Sequence, residues 1–239
     1  MSAARFEELA WARTPIGEVS LRRRREPVTG TDVHEVKLGE EYLMSSLFTV
    51  AEEELARLAL ARLTGSDLQV VVGGLGLGYT ARAVLEDARV SDLVVVDALE
   101  PVITWHRQHL VPLGQELTED PRCRLVHGDF FAMAGGGGFE PDLRGTLLDA
   151  IIVDIDHSPQ HLLASGSSPF YGRRGTEALA ALLRPGGVYA LWSNDPPDES
   201  YLDILRPVFT DVVAEVVEFP NPLQDRTATN TVFLATRPL

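Results

Sequence analysis

The sequence has 239 residues, of which 45% are hydrophobic and 23% charged, and these proportions exclude overall disorder, a collagen or a coiled coil. Its single cysteine, Cys123, excludes an intramolecular disulfide and a cysteine-based zinc cluster. With 21 basic and 35 acidic residues the net charge is −14, which disfavours a nucleic-acid partner and is compatible with a cationic substrate.

The first 50 residues predict a small antiparallel unit. Two strand-like stretches, GEVSLRRRRE and HEVKLGEEYLMSS, are separated by the turn-forming VTGTD, so we expect a β-hairpin. No apolar run approaches the roughly 20 residues that span a bilayer, and residues 1–13 lack an apolar signal segment. We therefore expect a cytoplasmic protein with no membrane partner.

The remainder of the chain predicts an α/β domain over residues 51–239. A helix over VAEEELARLALARL comes first. Apolar strands then alternate with helices, which indicates a mostly parallel sheet buried on both faces. The predicted strands are 69–72, 93–96, 123–126, 150–153 and 188–192, and the helices between them include 79–88, 101–110 and 176–183. The stretches VVAEVVEF and TVFLATR close the sheet with an antiparallel hairpin.

Two segments point to a nucleoside site. The first predicted strand runs into Gly74, Gly76 and Gly78 before a helix, and glycines allow a tight turn and a close approach of backbone to ligand. Asp97 ends the next strand, about 20 residues further on, where nucleotide-binding sheets place the carboxylate that contacts ribose hydroxyls. A tight strand–helix turn and a helix cap are the structural alternatives.

Further acidic residues follow the next two strands. Asp129 could accept a hydrogen bond from an adenine amino group, although a capping role also explains it. Asp154, Asp156 and His157 leave the fourth strand toward the same crevice and are candidates for proton transfer, whereas a turn is the alternative for Asp156. Glu52, Glu53 and Glu54 could attract an amine, or could simply form a solvated helix face.

Several enzyme classes lack their motifs here. The sequence contains no GxSxG elbow, no phosphate-binding GK[ST] loop and no HExxH. The glycines have the spacing G-x-G-x-G and not the G-x-G-x-x-G of dehydrogenases. A hydrolase triad, a P-loop NTPase, a zinc protease and a nicotinamide dehydrogenase are therefore not supported.

From about residue 69 onward, the order of motifs resembles the spermidine synthase-like aminopropyltransferases, within the class I S-adenosylmethionine-dependent methyltransferase fold. The glycine loop VVVGGLGLG, the segment DALEPVI and the strand DAIIVDIDHSP are similar to those of that family, and the run DPRCRLVHGDFF is the most specific match. The resemblance implies a Rossmann-like sheet of seven strands. It also implies aminopropyl transfer to a small amine, with Asp154 assisting the attacking amine.

The resemblance further implies decarboxylated S-adenosylmethionine or S-adenosylmethionine as co-substrate, no metal, and a homodimer. Three features depart from the family pattern. The stretch MSSLFTVAEEE stands where those enzymes carry a Tyr-His-Glu segment, just before the helix that precedes the first strand. Gly76 stands where those enzymes carry an aspartate, and the loop after Asp154 has one extra residue before Pro159. Two other functions therefore stay open: an S-adenosylmethionine-dependent small-molecule methyltransferase, and a catalytically inactive nucleoside-binding protein.

Overall fold

The computed structural model describes residues 6–136, 138–139 and 146–239. Its strands are β1 Phe6–Thr14, β2 Gly17–Arg25, β3 Asp32–Leu38, β4 Glu41–Ser45, β5 Leu68–Gly73, β6 Val90–Asp97, β7 Cys123–His127, β8 Leu148–Val153, β9 Leu183–Ser193, β10 Thr210–Asn221 and β11 Arg226–Thr236. Its helices are α1 Val50–Ala61, α2 Tyr79–Leu85, α3 Glu100–Arg107, α4 Gly114–Glu119, α5 Phe130–Gly135, α6 Arg173–Leu182 and α7 Glu199–Leu205, with a 3-10 helix at Ser165–Tyr171.

Seven strands form the central sheet in the order β10-β11-β9-β8-β5-β6-β7. Strands β5 to β9 pair in parallel, and β11 runs antiparallel to both β9 and β10. The predicted α/β fold of the class I methyltransferase type, with its C-terminal antiparallel hairpin, is confirmed. The strand order reverses at the β5–β8 junction, and in such sheets this is the place where ligands bind.

The inner strands are apolar because both of their faces are covered. Alternate side chains of a strand point to opposite faces of the sheet. Val70 and Val72 of β5 accordingly pack into one core cluster, while Val71 packs into a second cluster on the other side. Both clusters are built mainly from fully buried aliphatic residues. The continuous V-V-V run of β5 is thus explained by two-sided burial.

A separate four-stranded antiparallel sheet precedes the central sheet, in the order β1-β2-β3-β4. The first predicted stretch corresponds to β2, and the second is divided by a turn at residues 39–40 into β3 and β4. The structure adds β1, for which no strand was predicted. Val19, Leu21 and Val36 of this N-terminal sheet are buried in the same core cluster as α1 and β5. The N-terminal sheet is therefore held against the central sheet by shared apolar packing. The division of the chain near residue 50 stays a prediction.

None of the helices in the described ranges combines the length and the apolar character that crossing a bilayer requires.

Candidate active site

A cavity of about 920 Å³ lies between the N-terminal sheet and the carboxyl ends of β5 to β9. This volume is at the upper end of the usual range for ligand pockets, roughly 300–1,000 Å³. Seven of the eight site residues predicted from the sequence line it, together with Glu52. These seven are Gly74, Gly76, Asp97, Asp129, Asp154, Asp156 and His157. Gly78 is the exception, because it lies outside the wall.

The glycine loop between β5 and α2 has a left-handed backbone at all three candidate positions, with φ of 93° at Gly74, 48° at Gly76 and 92° at Gly78. A Cβ atom on Gly74 would lie 2.0 Å from the backbone oxygen of Asp154. On Gly78 it would lie 2.5 Å from Leu117 Cδ1. Glycine is needed at these two positions because the backbone has positive φ and because a Cβ atom would clash with its neighbours. The loop can therefore pack closely against the end of β8 and against α4.

The Asp97 carboxylate connects this loop to the next βα turn. Its Oδ2 accepts a hydrogen bond from the Leu75 backbone N–H at 2.8 Å, and its Oδ1 accepts one from Leu99 at 2.7 Å. Burial raises the pKa of Asp97, while these backbone donors act in the opposite direction. The Gly76 backbone N–H is a third donor to this carboxylate. An ionised carboxylate has about four acceptor sites, so Asp97 can still accept a hydrogen bond from a ligand.

His106 supports the glycine loop from below. Its side chain is fully buried, and its Nε2 lies 3.0 Å from the Gly76 carbonyl oxygen. Burial lowers the pKa of His106 to about 4, so the ring is neutral at pH 7 and Nε2 donates to that carbonyl. Its Nδ1 has no hydrogen-bond partner within the described residues.

Asp129 lies at the N-terminus of α5. Its Oδ1 accepts hydrogen bonds from the backbone N–H groups of Phe131 and Ala132, at 3.0 and 3.1 Å. The capping role considered for this residue is thus present in the structure, and the side chain also lines the cavity. Because the cap uses only one carboxylate oxygen, capping and ligand binding are compatible.

Asp154 follows β8 and lines the cavity near α1, which packs against β8. Its Oδ2 accepts a hydrogen bond from Thr80 Oγ1 at 2.6 Å. Glu52 of α1 lines the same cavity. Burial raises the pKa of both carboxyl groups, and repulsion by Asp154 raises that of Glu52 further. In the ranges that the structure describes, no ion pair neutralises either group, so the cavity contains two adjacent uncompensated acidic side chains.

The two glutamates that follow Glu52 have a different environment. Glu53 forms ion pairs with Arg82 and Arg57, at 2.8 and 3.0 Å. Glu54 forms one with Arg57 at 3.1 Å. Glu53 and Glu54 therefore belong to the solvated, ion-paired face of α1, which was one of the two predicted roles. Of the three glutamates, only Glu52 lines the cavity.

Asp156 is 2% exposed and accepts three hydrogen bonds. The donors are the Leu163 N–H at 2.7 Å, the Tyr171 hydroxyl at 2.8 Å and the Ser167 hydroxyl at 3.1 Å. Burial and the neighbouring Asp156 charge hold the pKa of Tyr171 well above its ordinary value, so this hydroxyl keeps its proton and donates. All three donors lie within residues 163–171, and we call this segment the strap because it forms one wall of the cavity.

His157 connects the two sheets at the edge of the cavity. Its Nε2 lies 2.8 Å from Oε1 of Glu41, which begins β4. The two residues are 116 positions apart in the chain. The pair therefore depends on the way in which the N-terminal sheet covers the carboxyl end of β8.

Several residues of the site were not found from the sequence. Thr80, Ser167, Tyr171 and His106 are polar residues in helical or loop segments, and no local pattern distinguishes them. Met44 packs against the glycine loop, and its sulfur lies 3.2 Å from the Leu77 N–H. A Cβ atom on Gly76 would lie 2.7 Å from this sulfur. Met44 thus occupies the space above Gly76, where the related family carries an aspartate.

Comparison with known proteins points to one family. No family model matches the sequence. The chain is 34% identical over 153 residues to polyamine aminopropyltransferase 2 of Pseudomonas aeruginosa, covering 60% of this chain and 40% of that protein. It is 25% identical over 202 residues to the polyamine aminopropyltransferase of Prochlorococcus marinus, covering 81% and 65%. The chain thus spans about two fifths to two thirds of the length of these relatives.

Solved structures agree on the fold. A spermidine synthase from Thermotoga maritima superposes with a TM-score of 0.69 at 17% identity, covering 96% of this chain and 72% of that one. A spermidine synthase in complex with the transition-state analogue AdoDATO gives a TM-score of 0.71 at 18% identity, covering 96% and 73%. The resemblance to the spermidine synthase-like family is therefore confirmed, in sequence by the curated relatives and in fold by these structures.

Proposed function

We propose that this relative of the polyamine aminopropyltransferases is a transferase that moves an aminopropyl group from decarboxylated S-adenosylmethionine to a small amine. The observation that carries the proposal is the pair of uncompensated carboxylates, Asp154 and Glu52, inside the cavity. Partly buried carboxylates without a cationic partner cost free energy, so a ligand that brings positive charge is favoured there. An alkylammonium ion has this charge and fits the acidic net charge of the chain.

The nucleoside half of the site would use the glycine loop and two carboxylates. Gly74 and Gly76 allow the backbone to approach the ligand, and Gly78 keeps the loop against α3 and α4. We assign ribose hydroxyls to Asp97, whose carboxylate has a free acceptor site, and the adenine amino group to Asp129. The donor fits this half of the cavity because both carboxylates lie at strand ends that face it.

The sulfonium donor supplies an electrophilic carbon and a thioether leaving group. An amine with a pKa near 10 is protonated at pH 7, so its nitrogen must lose a proton before it attacks. We assign acceptance of that proton to Asp154, because a raised pKa makes its carboxylate a better base. The nitrogen lone pair then forms the new C–N bond as the C–S bond breaks. Glu52 binds the ammonium and helps to align it for in-line attack.

The two remaining catalytic candidates would act indirectly. The Asp156 carboxylate accepts its three hydrogen bonds from the strap. We therefore propose that Asp156 positions the strap, which forms one wall of the cavity. His157, bonded to Glu41, would hold the N-terminal sheet over the acceptor half of the site. The predicted homodimer and the cytoplasmic location stay predictions.

The test is an incubation with S-adenosylmethionine, its decarboxylated form and a mixture of amines, read by mass spectrometry. We expect methylthioadenosine together with an amine that has gained an aminopropyl group. S-adenosylhomocysteine with a methylated product would instead assign the chain to the methyltransferases. If neither product forms while a nucleoside still raises the melting temperature, the chain is a nucleoside-binding protein without activity.

A further inference from the structure

The acceptor half of the cavity has an apolar wall, which we call the apolar chamber. It is formed by Pro15 and Ile16 of the β1–β2 turn, by Val36, Leu43 and Met44 of β3 and β4, and by Trp192 of β9. Thr14 adds a hydroxyl, but that hydroxyl already donates to the Gly17 carbonyl at 2.7 Å. The part of an acceptor that extends past Asp154 and Glu52 would thus contact apolar side chains of the N-terminal sheet.

The other acidic groups around the cavity already have partners. Asp97 and Asp129 accept backbone hydrogen bonds on the nucleoside side. Asp156 accepts from three donors in the strap, and Glu41 bonds to His157 at the edge. Within the described residues, therefore, Asp154 and Glu52 are the lining carboxylates left for a cation. They line the same cavity on elements that pack together, α1 and β8, and the charge of Asp154 raises the pKa of Glu52.

Two adjacent carboxylates bind one end of an acceptor. The far end of a diamine would then carry a second ammonium against the apolar chamber, where it is partly desolvated and meets no carboxylate among the described residues that form the chamber. Burial of an unpaired charge is strongly unfavourable, whereas burial of a methyl or methylene group is favourable. Resting on the proposed function, we infer that the acceptor is a primary monoamine with an apolar alkyl arm, in preference to a diamine.

The experiment compares two acceptors of nearly equal length and shape, 1-aminopentane and 1,4-diaminobutane. With decarboxylated S-adenosylmethionine as donor, we expect kcat/KM to be at least about tenfold higher for 1-aminopentane. Calorimetric titration of both amines into the protein saturated with methylthioadenosine measures the same preference without turnover. A diamine that binds as tightly as the monoamine, or a failure of both to bind, overturns the inference.

A charge placed in the chamber should reverse the preference. Ile16 is 54% exposed at the cavity edge, so its replacement is compatible with folding. Ile16→Glu should raise kcat/KM for the diamine and lower that for the monoamine, because the new carboxylate pairs with the second ammonium. Ile16→Gln, which is matched in shape without charge, should lower use of the monoamine without raising that of the diamine. Equal behaviour of the two variants would contradict the charge argument.

The two proposals fail in different ways. If the monoamine binds more tightly but neither amine receives an aminopropyl group, aminopropyl transfer is wrong and the assignment of the chamber stands. If 1,4-diaminobutane is the better acceptor in both assays, aminopropyl transfer stands and the preference for a monoamine is wrong.

Discussion

At the scale of single residues, the site depends on carboxylates in unequal environments. Asp156 is as buried as the core yet has three donors, and Asp97 and Asp129 are held by backbone N–H groups. Asp154 has one hydroxyl donor, and Glu52 has no side-chain partner among the described residues. A partly buried carboxylate that lacks a cationic partner costs stability in the free protein, and such groups are concentrated at functional sites.

The first prediction concerns Asp154→Asn. The substitution keeps the shape of the side chain and removes the proton acceptor, so kcat should fall by about 100-fold or more. The affinity for methylthioadenosine, measured by calorimetry, should be nearly unchanged. Asp203→Asn, on the exposed side of α7, is the matched control. Wild-type turnover in Asp154→Asn would remove this residue from the mechanism.

The second prediction concerns Glu52→Gln and the pH dependence of stability. Because the folded protein raises the pKa of Glu52 above its ordinary value of 4.5, it binds a proton more readily than the unfolded chain. The free energy of unfolding therefore falls as the pH rises from 4.5 through the raised pKa. Glu52→Gln avoids this loss and should be more stable than the wild type at about pH 9, by at least about 1.4 kcal/mol, with no difference near about pH 4.

Urea unfolding at both pH values measures this effect. Glu54→Gln on the same helix is the control, because Glu54 is paired with Arg57 and its removal should bring no gain at high pH. A stability of Glu52→Gln equal to that of the wild type at every pH would contradict the burial of an unpaired carboxylate.

At the scale of elements, two segments shape the cavity in different ways. The glycine loop is held by close backbone contacts, since Gly74 lies against the end of β8. The strap is held by one buried side chain, because Asp156 collects donors from both of its ends. The position of the glycine loop therefore requires residues without a Cβ atom, whereas the position of the strap requires the Asp156 carboxylate.

The third prediction compares two glycine substitutions of equal backbone strain. Gly74 and Gly65 have φ of 93° and 91°, but a Cβ atom on Gly65 meets nothing within 4 Å. Gly65→Ala should cost about 1–2 kcal/mol, the value of the strained backbone alone. Gly74→Ala should cost more and weaken methylthioadenosine binding by at least about tenfold, because the new Cβ displaces the Asp154 carbonyl. Equal losses in thermal unfolding and titration would show that the close contact is unimportant.

The fourth prediction concerns Asp156→Asn. Hydrogen bonds to a charged acceptor contribute about 1.5–3 kcal/mol, so loss of the charge should destabilise the protein by about 2 kcal/mol and speed hydrogen exchange in residues 163–171. Tyr171→Phe removes one donor and should have a smaller effect. An Asp156→Asn variant that is as stable as the wild type but inactive would instead indicate that Asp156 acts on the substrate.

At the scale of the whole molecule, charge and layering act together. The net charge of −14 creates a field that attracts cations. The N-terminal sheet covers the carboxyl ends of the central strands and leaves the cavity as the space between them. If the proposed function holds, a cationic acceptor is drawn toward the protein by long-range charge before Asp154 and Glu52 bind it.

The fifth prediction is a salt dependence. Since the Debye length shortens from about 30 Å at 0.01 M salt to about 8 Å at 0.15 M, kcat/KM for the amine should fall severalfold over this range. The affinity for methylthioadenosine, which is uncharged, should change little and serves as the control. If kcat/KM for the amine does not depend on salt, long-range attraction by the net charge is wrong, and only charges inside the cavity attract the amine.

The sequence by itself determined the sheet and the residues of the proposed nucleoside half of the site. The alternation of apolar strands and helices, the glycines after β5 and Asp97 after β6 are local signals, and parallel strands bring their carboxyl ends to one edge. The same argument placed Asp129, Asp154 and Asp156 around one crevice. The two predicted N-terminal stretches contain β2, β3 and β4, but the turn between β3 and β4 and the whole of β1 were not predicted.

Only the tertiary structure decided the acceptor half. Glu52 shares a helix with Glu53 and Glu54, and nothing in their spacing tells which one faces Asp154, about 100 positions away. The Glu41–His157 pair, the Met44 contact with the glycine loop and the apolar chamber all depend on how the N-terminal sheet docks. Docking is set by the summed packing of many side chains distant in sequence, so no local pattern encodes it.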